Sequence, residues 1–196
     1  MTHYLKLSVA FAFSSLATVL VYHAAFGDER PRNVTIELDT TTTVQHANGL
    51  VQTVRGQPKI YFSSDGTAYA QFGIEDAAQS SVGVALPPNS NTGTYTDPNS
   101  VKYDPVRRIM GKTTYNVSLS GPLSNYYVVF EHNDCRVDGQ LCSRQRFTYV
   151  LQISGMTCRT TAADFKRQSA ADAPNPTVSS SMVGTPTCLI HPGRSL

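Results

Sequence analysis

Apolar and polar positions alternate over several stretches of the chain, and this alternation favours β-strands. The pattern is present at residues 34–39, 112–119, 126–131 and 146–153. In the last stretch (RFTYVLQI) four large apolar side chains fall on one face and more polar ones on the other. Successive side chains of a strand point to opposite faces, so the pattern predicts sheets with one buried side.

Two Gly-containing dipeptides predict β-hairpins. Asn48-Gly49 lies within VQHANGLVQTV, and Asp65-Gly66 lies at the centre of KIYFSSDGTAYAQF. Asn-Gly and Asp-Gly are the usual sequences of two-residue type I′ turns, in which both residues have positive φ. A two-residue turn at Asp65-Gly66 predicts that Phe62 lies opposite Tyr69 on the paired strand.

The remaining segments show less regular patterns. Residues 161–171 (TAADFKRQSAA) are the one helical candidate, and residues 173–181 are expected to form a Pro/Ser-rich connector. Residues 87–105 are rich in Pro, Asn, Ser and Thr, which predicts a long flexible loop. Together these patterns predict an all-β fold: an antiparallel sandwich or small barrel of about seven or eight short strands, with at most one short helix.

The N-terminus has the three-part pattern of a secretory signal peptide. A lysine at position 6 precedes an uncharged apolar run over 7–22, and small residues then lead into the charged sequence DER. We predict that residues 1–27 are a signal peptide and that residues 28–196 form one domain. The alternative is an uncleaved anchor, although the apolar run is shorter than the ~20 residues that span a bilayer. No span is expected after cleavage.

Four cysteines lie in the C-terminal third of the chain, at Cys135, Cys142, Cys158 and Cys188. An even number of cysteines behind a signal peptide predicts two disulfides in an oxidising compartment, here the periplasm or the exterior. Four cysteines allow three pairings. Proximity favours Cys135–Cys142 with Cys158–Cys188, and the other two pairings stay open.

Charge is distributed unevenly between the two halves of the predicted domain. Residues 28–100 contain four basic and eight acidic residues, whereas 101–196 contain eleven basic and six acidic ones. A nucleic-acid-binding protein would carry a stronger basic excess than the formal +2 of the chain, so we expect no nucleic-acid partner. The C-terminal excess indicates either packing against the acidic half or a surface for an anionic partner. Its candidate binding residues are Arg107, Arg108, Arg144 and Arg146.

The sequence contains no motif that points to a metal, a cofactor or a catalytic residue. The cysteine spacings lack the paired C-x2-C of a zinc site, and no H-E-x-x-H, G-x-S-x-G or S-x-x-K occurs. We therefore predict no metal site, no cofactor and no identifiable catalytic group.

Several short segments resemble small secreted proteins of rhizobial-type alphaproteobacteria. The segments are the hairpin IYFSSDGTAYAQF, the strand FTYVLQISGMTC that leads into Cys158, and TCLIHPG around Cys188. The resemblance implies a secreted or periplasmic all-β protein in which Cys158–Cys188 is the shared bridge and Cys135 and Cys142 are an addition. It implies no activity.

These observations together favour a periplasmic or secreted, non-catalytic binding or envelope-associated protein. Its partner would be an anionic envelope component or another protein. Two alternatives stay open: a small secreted hydrolase with a dispersed active site, and an inhibitor or interaction module that presents the tip at residues 135–142.

Overall fold

The fold was obtained as a computed structural model, which describes residues 30–73, 82–98, 103–104, 109–136 and 141–194. The predicted signal peptide at 1–27 lies outside these residues. Within them the chain forms thirteen strands and a 3₁₀ turn at Leu123–Asn125. The strands are β1 Val34–His46, β2 Val51–Gly56, β3 Lys59–Phe62, β4 Ala68–Gln71, β5 Gly83–Leu86, β6 Thr92–Thr96, β7 Tyr103–Asp104, β8 Ile109–Ser120, β9 Tyr126–Arg136, β10 Leu141–Ser154, β11 Thr157–Gln168, β12 Thr177–Met182 and β13 Thr187–Pro192.

The strands form two antiparallel sheets, and the all-β prediction is confirmed. The first sheet has the order β12-β1-β3-β4-β5, and β2 and β13 also pair with β1. The long strand β1 accommodates four neighbours because its N-terminal half pairs with β3 and β13 and its C-terminal half with β2 and β12. The second sheet has the order β11-β10-β9-β8-β6, with β7 beside β8. The two sheets stay separate and do not join into one closed sheet.

One hydrophobic core fills the space between the sheets. The first sheet contributes the inward positions of β1 and β3–β5, including Ile36, Ile60 and Leu86, all of which are fully buried. The second sheet contributes successive rows across β8–β11, such as Val117–Phe130–Phe147–Phe165. Burial of this apolar area is the main contribution to the stability of the sandwich.

Both Gly-containing turns form hairpins, but the predicted turn type is wrong. In each hairpin the residue before a three-residue loop donates one backbone hydrogen bond and accepts another. In the β3–β4 hairpin, Ser63 N–H donates to Thr67 O, and Ser63 O accepts from Gly66 N–H. Only the glycine has positive φ, +83° at Gly49 and +89° at Gly66. This is a type I turn followed by a left-handed glycine, the usual three-residue hairpin loop.

The longer loop shifts the strand register by one residue. Tyr61 pairs with Tyr69 and Phe62 with Ala68, so the predicted Phe62–Tyr69 pair is wrong. Phe62 is buried, whereas both tyrosines lie on the outer face of the sheet. There the guanidinium of Arg194 lies 5.9 Å and 5.7 Å from their ring centroids.

The helical candidate at residues 161–171 is wrong, because most of it belongs to strand β11. Pairing with β10 over Thr157–Gln168 places Phe165 opposite Phe147, with ring centroids 4.6 Å apart. Phe165 is thereby buried in the core. Tertiary packing of this one aromatic side chain outweighs a modest helix propensity, as it does in many strands.

Strands also occur where a loop and a connector were expected, which explains why the count exceeds seven or eight. Thr92–Thr96, within the predicted loop at 87–105, pairs with β8. Thr177–Met182, at the end of the predicted connector, pairs with β1. Both segments are rich in Ser and Thr and contain few large apolar residues. Their edge positions in the sheets require little burial, so the sequence carries a weak strand signal.

The two disulfides, Cys135–Cys142 and Cys158–Cys188, confirm the pairing that proximity favours. Cys158 lies in β11 and Cys188 in β13, so this bridge joins the two sheets. Cys135 and Cys142 are directly opposite each other on β9 and β10. Among the described residues, no helix has the length and apolar character that crossing a membrane requires.

Candidate functional site

Charged and amide side chains occupy two neighbouring rows on the outer face of the second sheet. The antiparallel register across β8–β11 aligns Asn116, Glu131, Arg146 and Lys166 in one row. It aligns Thr114, Asn133, Arg144 and Gln168 in the next. Directly opposite side chains in such rows are about 4.5–5.5 Å apart at Cβ, so their polar groups form one continuous surface.

A groove of about 450 Å³ opens at this end of the sheet. The second sheet lines it with parts of both rows and with the inward-facing Gln145 and Arg167, and the first sheet lines it with Val178, Ser179 and Ser180 of β12. A hydrogen bond from Arg167 N–H to Ser180 Oγ, 2.8 Å long, joins β11 to β12 at this point. The groove therefore lies where the two sheets meet, and its volume is that of an ordinary small-ligand site.

The lining of the groove is strongly cationic. Its residues include four bases and one acid: Arg144, Arg146 and Lys166 lie with Glu131 on the outer face, and Arg167 belongs to the inward row. Arg146 Nε lies 3.5 Å from Glu131 Oε1, and Lys166 Nζ lies 3.5 Å from Asp164 Oδ2. All four side chains of these pairs are at least a third exposed. Pairs of this kind are weak, so an anionic ligand can replace the acidic partner at little cost.

Arg144 and Arg167 are the cations of the groove that have no acidic partner among the described residues. Arg144 is exposed, and its neighbours in the row are Asn133 and Gln168. Arg167 is half-buried, and burial lowers the pKa of its guanidinium. A partly desolvated guanidinium gains more from an incoming anion than an exposed one does, because the local dielectric screens the pair less.

A polar row continues from the groove into the interior of the sandwich. Tyr115, His132, Gln145 and Arg167 are aligned across β8–β11. His132 is buried and stacks on Tyr115, with ring centroids 4.7 Å apart and planes inclined by 14°. Its Nε2 has no hydrogen-bond partner within the described part of the chain. Burial lowers the pKa of this imidazole, which favours its neutral form.

A second, smaller cavity of about 20 Å³ lies deeper in the core and includes Thr40, Phe72 and Tyr149 in its lining. Thr40 Oγ1 and Tyr149 Oη make no hydrogen bond of standard geometry among the described residues, but the Thr40 hydroxyl lies close enough to Tyr149 to favour its ionised form and so to oppose part of the effect of burial on its pKa. Burial raises the pKa of the Tyr149 phenol. This space admits a single water and nothing larger, so the groove is the better candidate for a ligand.

The structure brings together two of the four arginines that the sequence singled out. Arg144 and Arg146 lie two residues apart on β10, face the same way and line the groove. Arg107 and Arg108 lie outside the described residues. The disulfide Cys135–Cys142 links β9 and β10 next to the row that contains Arg144, and these two strands carry five of the eleven lining residues.

Sequence reasoning missed the contribution of β11 and β12 to the groove. Lys166 and Arg167 lay in the helical candidate, and Ser179 and Ser180 in the predicted connector. The sequence signal that could have revealed this strand is the alternation within DFKRQ. When Phe165 points inward, Asp164 and Lys166 point outward, and in the structure Lys166 lies opposite Arg146. One large apolar residue was too little to distinguish that period from a helical one.

The histidines that a hydrolase would use are distributed over different surfaces. His132 is buried in the polar interior row, while His191 lies on the outer face of the first sheet with Nε2 3.9 Å from Glu37 Oε2. Neither lines the groove. The described residues contain no group of three or more His, Cys, Asp or Glu placed to hold a metal ion. Residues 137–140, half of the predicted interaction tip at 135–142, lie outside the described part.

Comparison with known proteins identifies no relative: no protein-family model, no curated protein and no solved structure matches the chain.

Proposed function

We propose that this protein is a secreted or periplasmic, non-catalytic binding protein whose groove captures an anionic component of the cell envelope. The observation that carries the proposal is the presence of four basic residues and only one acid among the residues that line a groove of about 450 Å³. An excess of one sign in a concave, partly desolvated site raises the local concentration of oppositely charged ligands.

The proposed location has separate support. Two disulfides are typical of proteins that fold in an oxidising compartment, and the N-terminal pattern is typical of a secretory signal. A protein delivered to that compartment meets the acidic polysaccharides and anionic lipids of the envelope.

The experiment measures binding of the mature, oxidised protein to three anionic probes and one neutral probe. The anionic probes are polygalacturonate, dextran sulfate and phosphatidylglycerol vesicles, and the neutral one is dextran. We expect at least one anionic probe to bind, dextran not to bind, and the affinity to fall as ionic strength rises. The double change Arg144→Gln with Arg146→Gln should weaken binding by about tenfold or more, because it removes two charged hydrogen-bond donors.

A matched control is available on the same strand face. Arg159 is exposed and pairs with Gln152, six residues along β10 from Arg146, or about 20 Å away. Arg159→Gln removes one positive charge from the same sheet but leaves the groove intact, so it should retain nearly full affinity. Equal losses in the control and in a single groove variant would mean that net charge, and not the groove, attracts the probe. Binding of no anionic probe would refute the proposal.

A further inference from the structure

We infer that the ligand of the groove is a chain of carboxylated sugars, such as a uronic-acid polysaccharide. This inference rests on the proposed function and narrows its ligand class. It depends on how the cations are distributed among uncharged polar groups, on the carboxylate already present in the groove, and on the scarcity of apolar side chains there.

The groove itself contains an arginine–carboxylate contact. The guanidinium of Arg146 faces the carboxylate of Glu131 at 3.5 Å, on an adjacent strand and in the same row. The planar fork of an arginine matches a carboxylate in shape and hydrogen-bonding geometry. Glu131 thus occupies the position in which a ligand carboxylate would sit, and both side chains are exposed enough to exchange partners.

Uncharged polar side chains alternate with the cations. Asn133 and Gln168 flank Arg144 in its row on the outer face, and Ser179 and Ser180 belong to the lining contributed by β12. Amides and hydroxyls both donate and accept hydrogen bonds, as sugar hydroxyls do. A site for phosphate alone needs donors only, and the acceptor oxygens of these amides would not contribute to it.

The two rows place cations at a spacing suited to a charged chain. Arg144 and Arg146 point the same way and are two residues apart, which separates their positions by about 6.7 Å along the strand. Lys166 extends the first row across to β11. A sugar chain lying along β10 can bring successive carboxylates to Arg146 and Arg144, with its hydroxyls beside the amides of Asn133 and Gln168 on the neighbouring strands.

The groove offers little to a membrane. Val178, which is 65% exposed, is the one apolar side chain in its described lining. Peripheral membrane binding combines basic residues with several apolar groups inserted below the headgroups. An arrangement with one valine and three amides favours a hydrated polysaccharide over a lipid surface.

The test compares oligogalacturonates of defined length with a fully methyl-esterified oligogalacturonate, dextran sulfate and phosphatidylglycerol vesicles. The unesterified oligogalacturonates should bind most tightly, and methyl esterification should abolish binding because it neutralises each carboxylate. Tighter binding of dextran sulfate or of the vesicles would overturn the sugar-acid assignment while leaving anion binding intact. Binding of none of the anionic probes would refute both.

Two variants separate recognition of sugar from attraction of charge. Gln168→Met keeps the length of an exposed side chain but removes its amide, so it should weaken oligogalacturonate binding about threefold to tenfold and weaken binding of polyacrylate, a polycarboxylate without hydroxyls, clearly less. Arg144→Gln should weaken binding of both. If Gln168→Met leaves oligogalacturonate affinity unchanged, or lowers both affinities equally, the amides do not read sugar hydroxyls and the inference is wrong.

Discussion

The two ends of the second sheet are built differently, although the same four long strands form both. At the end of β10 near Ser154, the inward row contains Tyr126, Leu151 and Thr160, all buried. At the other end the inward row contains His132, Gln145 and Arg167, and it opens into the groove. We call the end near Ser154 the dry end and the end at the groove the polar end.

Each end also carries its own disulfide. At the dry end Cys158 lies opposite Ile153 and bridges to Cys188 of the first sheet, so the bond joins the two layers. At the polar end Cys135–Cys142 joins neighbouring strands of one sheet. We infer from this difference that the dry end provides most of the stability, and that the polar end gives up apolar burial in order to place charged groups at a surface.

Truncation of a core side chain should give the largest difference between the ends. Leu151→Ala removes a fully buried side chain at the dry end and should lower the free energy of unfolding by about 2–5 kcal/mol. Gln145→Ala, at an inward but half-buried position of the same strand, should cost about 1 kcal/mol or less. Urea denaturation of both variants measures the difference. Equal costs would show that the polar end is as important to stability as the dry end.

Removal of the disulfides should give the next largest difference. Cys158–Cys188 spans 30 residues and Cys135–Cys142 spans 7. Loop-closure entropy then predicts losses of about 3–4 and 2–3 kcal/mol when each pair is replaced by serine. Thermal or urea denaturation gives both values. A larger loss at Cys135–Cys142 would mean that the hairpin at the polar end, and not the joining of the layers, limits stability.

Mild acidification, from pH 7.5 to 5, should act mainly through the polar end. Burial lowers the pKa of His132, the charge of Asp134 opposes this shift and that of Arg167 adds to it, and the ring stacks on Tyr115. The unfolded state therefore binds the proton first. Stability should be constant at pH values well above 6.5, the ordinary pKa of histidine, and should decline as pH falls through that value toward the lower pKa of the folded state.

His132→Phe tests whether His132 causes this loss of stability, because the variant retains an aromatic ring against Tyr115 and removes the titrating nitrogen. The free energy of unfolding of the variant, measured between pH 7.5 and 5, should fall less steeply than that of the natural chain. An unchanged slope would assign the acid sensitivity to other groups and remove His132 from the comparison between the ends.

The strength of the hydrophobic pattern in each strand determined how much of its structure could be predicted from the sequence. Residues 146–153 alternate cleanly, so the strand and the common face of Arg144 and Arg146 could be derived from sequence. In β11 the one large apolar residue, Phe165, left helix and strand equally compatible. The register of the β3–β4 hairpin was missed for another reason: Asp65-Gly66 fits a two-residue and a three-residue loop alike, and the position of Gly66 after a type I turn is decided by the pairing of the strands.

The smallest effect on stability, and the one that bears most on function, is expected from the cations of the polar end. Arg146→Gln and Lys166→Gln each break an exposed ion pair, with side chains 57% and 77% accessible, so each should change the free energy of unfolding by no more than about 0.5 kcal/mol. Urea denaturation measures the change, with Arg159→Gln as the reference for loss of one exposed charge. If either groove variant costs well over 1 kcal/mol while the reference costs nothing, the cations serve the fold, and the polar end is then a second stabilising region instead of a ligand site. Values near zero, together with the loss of polyanion binding, would mean that this end retains its charges for a ligand.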